Sequence, residues 1–252
     1  MTARRGIFVA PFGELSEPAR VAELAARAED RGWDGFFLWD HVAFHLPARA
    51  IADPWVTLAA MALATERLII GPLVTPVPRR RPHKLARETV TLDRLSGGRL
   101  VFGVGLGWDA TGEFDPERYG EESDPRARAR LLDDGLERLL AYWGGEFEPV
   151  PVQRPRIPVW VAAVWPKRRP LRRAARFDGV FPIDLPGPEA LAEVAGELRE
   201  LRGSLDGFDL VVTNPPGTDP APWSDAGATW CLTGLGSRPS VKRVQKAIDA
   251  LG

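Results

Sequence analysis

Asp40 and His41 close an apolar run at 35–39, and they are the residues best suited to moving a proton. Histidine is the side chain type that exchanges a proton near neutrality without large tuning. The pair reads in two ways: as a proton-handling group with a carboxylate beside it, or as a structural pair bonded to a neighbouring strand. A second stretch, SGGRLVFGVGLGW at 96–108, ends an apolar run on Gly105 and Gly107 and then presents Trp108. Glycine at a strand end marks a turn or the close approach of a backbone or a ligand. Other chemistries lack their residues. The three histidines, His41, His45 and His83, form no His-x-His, and no carboxylates cluster at ligand spacing, so no metal site is expected. His83 follows Pro82 at a helix start and reads as structural. No lysine ends a strand, as a Schiff base would need, and no Gly-x-Ser-x-Gly elbow occurs. Cys231 has no base in view and reads as a small core residue.

The elements that must position these residues alternate. Short apolar runs at 6–10, 35–39, 68–74, 100–104, 158–163, 179–183, 208–213 and 228–233 read as strands buried on both faces. Helical patterns separate most of them. Val21, Leu24, Ala25 and Ala28 make one stripe, with Ser16 as the expected N-cap and Pro18 in the first turn. Asp53–Pro54, Pro82 and Asp124–Pro125 open three more helices; the last carries Leu132, Leu136, Leu139, Leu140 and Trp143. Further stripes are Leu191, Val194, Ala195, Leu198 and Leu201, and finally Val241, Val244, Ile248 and Leu251. Eight such units predict a compact (β/α)8 TIM barrel in one domain, 1–252, with a doubly wound sheet as the alternative. The seventh helix is expected to be degenerate, because NPPGTDPAPWSDAG is too rich in proline.

In such a barrel the site lies at the C-terminal strand ends. Those ends carry Trp39, Asp40 and His41, then GPLVTPVP, GVGLGW, VAAVWPKRRP and Ile183–Asp184. The lining is apolar and aromatic, with Trp39, Trp108 and Trp165 where a ring could stack, while Trp33 and Trp143 read as packing anchors. A mouth of this kind suits a flat conjugated ring, and a hydride-transfer cofactor would then supply the difficult chemistry.

Composition narrows the setting. A formal charge of −1 over 252 residues gives no global pull towards nucleic acid, and 79–81 and 167–169 read as solvated basic loops. No apolar run approaches the roughly 20 residues of a membrane span, and no signal peptide is seen. A single cysteine fits a reducing cytoplasm.

The stretch RRRPHKLARETVTLDRLSGGRLVFGVGLGW, 79–108, resembles the signature of the bacterial luciferase-like family of flavin- and deazaflavin-dependent oxidoreductases. The likeness extends to GWDGFFLWDHV, RARARLLDDGLERLLAYWGGEF, PRIPVWVAAVWPKRRPLRRAARFDGVFP and AGATWCLTGL. It implies a TIM barrel holding coenzyme F-420 or FMN and passing a hydride to or from an organic small molecule. Its other implied readings are an FMN-dependent monooxygenase served by a separate reductase, and a barrel that binds a flavin without turnover. It places Gly105 and Gly107 beside the ring and a cis non-proline peptide at Leu73–Val74 behind it. Ala162, Ala163, Val164 and Trp165 become the phosphate-side loop, with Lys167, Arg168 and Arg169 adding charge. Asp40 becomes a cofactor contact and His41 the proton-handling residue; relatives also suggest a homodimer, which exposed apolar residues on the second and third helices would support. Asp109 and Glu113, after GLGW, receive no role; with Glu14 they are the next candidates if His41 is not the reacting group.

Overall fold

The structure is a computed structural model and describes residues 2–45 and 49–250, with Asp109 described by its backbone alone. Nine parallel strands form one sheet: β1 (Arg4–Val9), β2 (Gly35–Leu38), β3 (Ile69–Pro72), β4 (Thr75–Pro76), β5 (Phe102–Gly105), β6 (Val159–Val164), β7 (Gly179–Ile183), β8 (Asp209–Asn214) and β9 (Trp230–Gly234). Their order is β3-β2-β1-β9-β8-β7-β6-β5-β4. β3 and β4 are two pieces of the expected third strand. They are parted at Leu73–Val74, where the peptide is cis. β3 pairs with β2 and β4 with β5, and a parallel bridge from Ile70 to Leu100 joins the two ends. The result is a (β/α)8 TIM barrel, with the run predicted at 68–74 broken in the middle.

Helices follow every strand except β3, which runs into β4: α1 (Pro18–Asp30), α2 (Pro54–Ala64), α3 (Pro82–Leu95), α4 (Pro116–Tyr119), α5 (Pro125–Ala141), α6 (Arg169–Ala174), α7 (Pro188–Arg202), α8 (Ala221–Asp225) and α9 (Val241–Asp249). Asp53 and Asp124 cap α2 and α5 through their side chains, as their Asp-Pro pairs predict. Ser16 does not cap α1. Its hydroxyl donates to the Gly13 carbonyl within a short 3-10 turn, and Glu17 takes the N-cap position without a side-chain bond. α8 has five residues, which is the degenerate seventh helix. Leu251, expected in the last stripe, lies outside the described residues.

Strand side chains alternate between two cores. Ile7, Val9, Phe36, Leu38, Val104 and Val161 face the helices, whereas Phe8, Phe37, Trp160, Phe181 and Trp230 fill the barrel. Trp160 lies 5.5 Å from Trp230 and 5.4 Å from Phe37, ring to ring, and Arg4 lies over the Trp230 ring. These large rings fill the barrel interior, and in such a barrel a ligand is held at the C-terminal strand ends. Trp33 and Trp143 anchor helices, donating to the Ile248 carbonyl and the Thr89 hydroxyl.

Much of the LDRLSGGR motif is structural. The buried Asp93 accepts from the Val152 and Gln153 backbones and the Gln153 amide. Arg99 donates to the Ala62, Thr65 and Leu68 carbonyls at the end of α2. Both tie chain segments that would otherwise leave buried polar groups unpaired. Cys231 is buried, and burial pushes its thiol up to about 11 against the opposing charge of Arg5. It is expected to resist thiol reagents at pH 8 and to react fully once unfolded in urea; rapid labelling of the native protein would contradict its placement.

Candidate active site

The loop after β2 carries Asp40 and His41 to the C-terminal end of the barrel. Asp40 is buried, and both carboxylate oxygens are engaged. Oδ1 accepts from Arg79 and Arg80 at 2.8 Å each. Oδ2 accepts from Arg80 at 2.9 Å, the Thr75 hydroxyl at 2.8 Å and the Trp55 indole at 3.3 Å. The two arginines stand on a 3-10 turn, Val77–Arg79, and the residue after it. The basic run at 79–81 is therefore not a solvated loop throughout: the Arg79 side chain is 4 % exposed and that of Arg80 18 %. Two buried charges of this kind are tolerable because two buried carboxylates, Asp40 and Glu113, match them.

His41 Nδ1 lies 2.8 Å from Glu113 Oε2. A carboxylate only accepts, so Nδ1 carries the hydrogen and Nε2 is the atom left to give or take a proton. Phe12, Trp39 and Phe44 surround the imidazole at ring separations of 6.0, 5.7 and 5.1 Å. Glu113 is fully buried on the long loop after β5. Its Oε2 also accepts from the Thr111 hydroxyl, and its Oε1 from the Val42 and Ala43 backbones and from Arg79 at 2.9 Å. Burial raises its pKa, but the bond to His41, the charges of His41 and Arg79, and the Ala43 N–H outweigh this and bring it to about 2. The folded value lies below the ordinary 4.5, so the stability this group lends is complete above that pH and is lost as pH falls towards 2. The urea midpoint is expected to hold from pH 7 to about 5 and to fall below that; in Glu113→Gln this part of the acid limb should vanish.

A second group of predicted residues meets on neighbouring strands. A Cβ built on Gly105 would stand 2.7 Å from Val74 Cγ2 and 3.4 Å from Ala162 Cβ. Leu73 and Val74 pack with the barrel interior, and Val74 leads into Thr75, whose hydroxyl binds Asp40. The apolar group and the ionic group are thus adjacent. Ala163 turns towards the helices, so its side chain belongs to the outer core. Trp165 also packs there, with its backbone N–H on the Ile183 carbonyl and Arg168 over its ring. Lys167, Arg168 and Arg169 are exposed, and Arg168 pairs with Glu197.

At Gly107 the space a Cβ would take is filled by Phe114, 2.1 Å away, and φ is +83°. Gly107→Val is expected to lose about 1–3 kcal/mol of stability through that collision, read as a lower urea midpoint. An unchanged midpoint would place Phe114 elsewhere.

Glu113, Arg79 and Arg80 are the residues that sequence reasoning left without a role. Their ionic and imidazole partners lie 34 to 72 positions away, so no local spacing could join them. Glu14 accepts from the Val241 N–H at the start of α9, and His83 is exposed on α3. Among the described residues no group of three His, Cys, Asp or Glu could hold a metal. No helix among them is long and apolar enough to cross a membrane.

The chain's sequence and its fold are both similar to those of known proteins. An uncharacterised protein of Mycobacterium tuberculosis is 29% identical over 260 residues, covering 88% of each chain. The F-420-dependent glucose-6-phosphate dehydrogenase of Nakamurella multipartita is 38% identical over 136 residues, 51% of this chain and 38% of that one. The fold of an F-420-dependent secondary alcohol dehydrogenase, solved with an F-420–acetone adduct, superposes with a TM-score of 0.80 at 17% identity, covering 100% of this chain and 98% of that one. The model of the luciferase-like monooxygenase family matches residues 5–216, and the chain belongs to that family.

Proposed function

We propose that the protein is an oxidoreductase that moves a hydride between coenzyme F-420 or FMN and an organic small molecule. The observation that carries this reading is the His41–Glu113 pair set beside the bed of Val74, Gly105 and Ala162. The bed suits a flat ring: Val74 and Ala162 offer small apolar surface, and the missing side chain at Gly105 lets Val74 lie close against the strand. When bound, the ring would supply or accept the hydride. The chain's own part is to hold that ring and the substrate together, exclude water with the Phe12, Trp39 and Phe44 rings, and handle the matching proton at His41 Nε2. Glu113 fixes the imidazole's orientation and tautomer, and Asp40 holds Arg79, which steadies Glu113. Lys167 and Arg169 offer charge on the phosphate side. The apolar outer face of α2, with Val56 64 % and Leu63 75 % exposed, supports the homodimer.

The names of the glucose-6-phosphate dehydrogenase and of the alcohol dehydrogenase favour the deazaflavin. Titration of purified protein with FMN and with F-420, followed by absorbance, tests the reading. Micromolar binding of either is expected, with F-420 the tighter. FMN binding coupled to oxygen uptake, given a reductase, would move the assignment to a monooxygenase. Binding of neither would remove the proposal.

A further inference from the structure

We propose that Arg79 is a positioning residue that sets the charge balance of the mouth, as the standing counter-ion of Glu113, and so leaves His41 able to exchange its proton. This rests on the reading of His41 as the proton-handling group. The geometry is specific. One guanidinium spans two carboxylates, with Nη1 on Glu113 Oε1 at 2.9 Å and Nη2 on Asp40 Oδ1 at 2.8 Å. Nη2 also reaches the Asp40 carbonyl. Both carboxylate side chains are wholly buried. Arg79 therefore joins the loops after β2, β4 and β5, and a planar fork does this where a lysine's single ammonium cannot.

Charge makes the argument stronger than a latch would. Asp40 and Glu113 are matched by Arg79 and Arg80, so the four cancel while the imidazole is neutral. Without Arg79, the cluster holds one excess negative charge, and Glu113 lies in hydrogen-bond contact with His41. The imidazole would then keep its second proton to supply the missing counter-charge. Among the described residues, the other charged groups near this cluster include Arg128, buried on α5 with its guanidinium over the ring of Phe114, next to Glu113. Glu121, on the loop before α5, feels Arg79 and Arg80. Asp53 and Glu88 act on Arg80 from the start of α2 and from α3. His45 stands behind the Phe44 ring. None of these is placed between Arg79 and Glu113.

The test needs no cofactor. The titration of His41 is followed by imidazole NMR in the full-length apoprotein, in the parent, Arg79→Met, Arg79→Lys, Asp40→Asn, and Arg79→Met combined with Asp40→Asn. Near-UV circular dichroism checks each fold. In Arg79→Met the midpoint is expected to move alkaline by about 1–3 pH units. Arg79→Lys should recover most of that shift. Asp40→Asn, with one excess positive charge, should move it acid, and this arm stands alone if Arg79→Met does not fold. The double variant should return towards the parent, although it has lost more bonds than either single variant. A merely mechanical latch predicts the reverse, with the double variant furthest from the parent. Unmoved midpoints in the folded variants would overturn the proposal. If the midpoints move as stated but His41→Ala turns over normally, the charge balance stands and the assignment of His41 as the reacting group falls.

Discussion

His41→Ala is expected to hold the cofactor as tightly as the parent protein and to turn over roughly 10²–10⁴-fold more slowly. A hydride added to or taken from a carbonyl leaves a proton to be placed, and a positioned acid–base group is typically worth that factor. His41 has the required arrangement: Nδ1 is committed to Glu113 and the ring is held among three aromatic neighbours. The loss should fall on single-turnover oxidation of the reduced cofactor and leave its affinity alone, since removing a group that acts only in the reacting step lowers rate without binding. His83→Ala is the control, because His83 is exposed on α3, and it should change neither quantity. Glu113→Gln keeps the shape and loses the charge, so it should fall between the parent and His41→Ala. Parent-like turnover in His41→Ala would move proton handling to Glu113. Glu14 is a weaker substitute because it is occupied at the start of α9.

The strands and most helix starts were legible because their signals are local. Asp53–Pro54 and Asp124–Pro125 each carry a cap and a proline within two residues, and both open helices as expected. The apolar pattern of 68–74 predicts one whole strand; only the cis peptide that the resemblance implies at Leu73–Val74 marks the point where the partner changes from β2 to β5. Ser16 failed as a cap because the 3-10 turn before α1 offered its hydroxyl a nearer carbonyl. The site divides in the same way. Gly105, Val74 and Ala162 are named by the family resemblance, and the structure brings the three together on neighbouring strands. Arg79 and Arg80 could not be placed, because three successive arginines in a loop look solvated until the buried carboxylate that holds two of them is found 39 and 40 positions earlier. Glu113 stands alone between Gly112 and Phe114 in a polar loop, and only its burial marks it.

That buried carboxylate yields the second large effect. Asp40→Ala is expected to cost about 3–5 kcal/mol of folding stability, because it removes one partner of a buried ion pair and leaves the other charges uncompensated. Arg79 would keep Glu113, but Arg80 would lose the only carboxylate it bonds among the described residues, and Thr75 and Trp55 would lose their acceptor. Asp40→Asn preserves the shape and one acceptor oxygen and should cost less, although an amide beside two guanidiniums is still a poor match. The measurement is the urea midpoint of the apoprotein, with cofactor affinity determined separately at a urea-free pH 7. The two roles open to Asp40 separate cleanly there. A carboxylate whose oxygens already accept from four side chains has little capacity left for a ligand, so the stability loss should exceed any loss of affinity measured on the folded fraction. Parent-like stability with a large loss of affinity would instead make Asp40 a direct cofactor contact, and the arginines would then have to be held by something other than its charge.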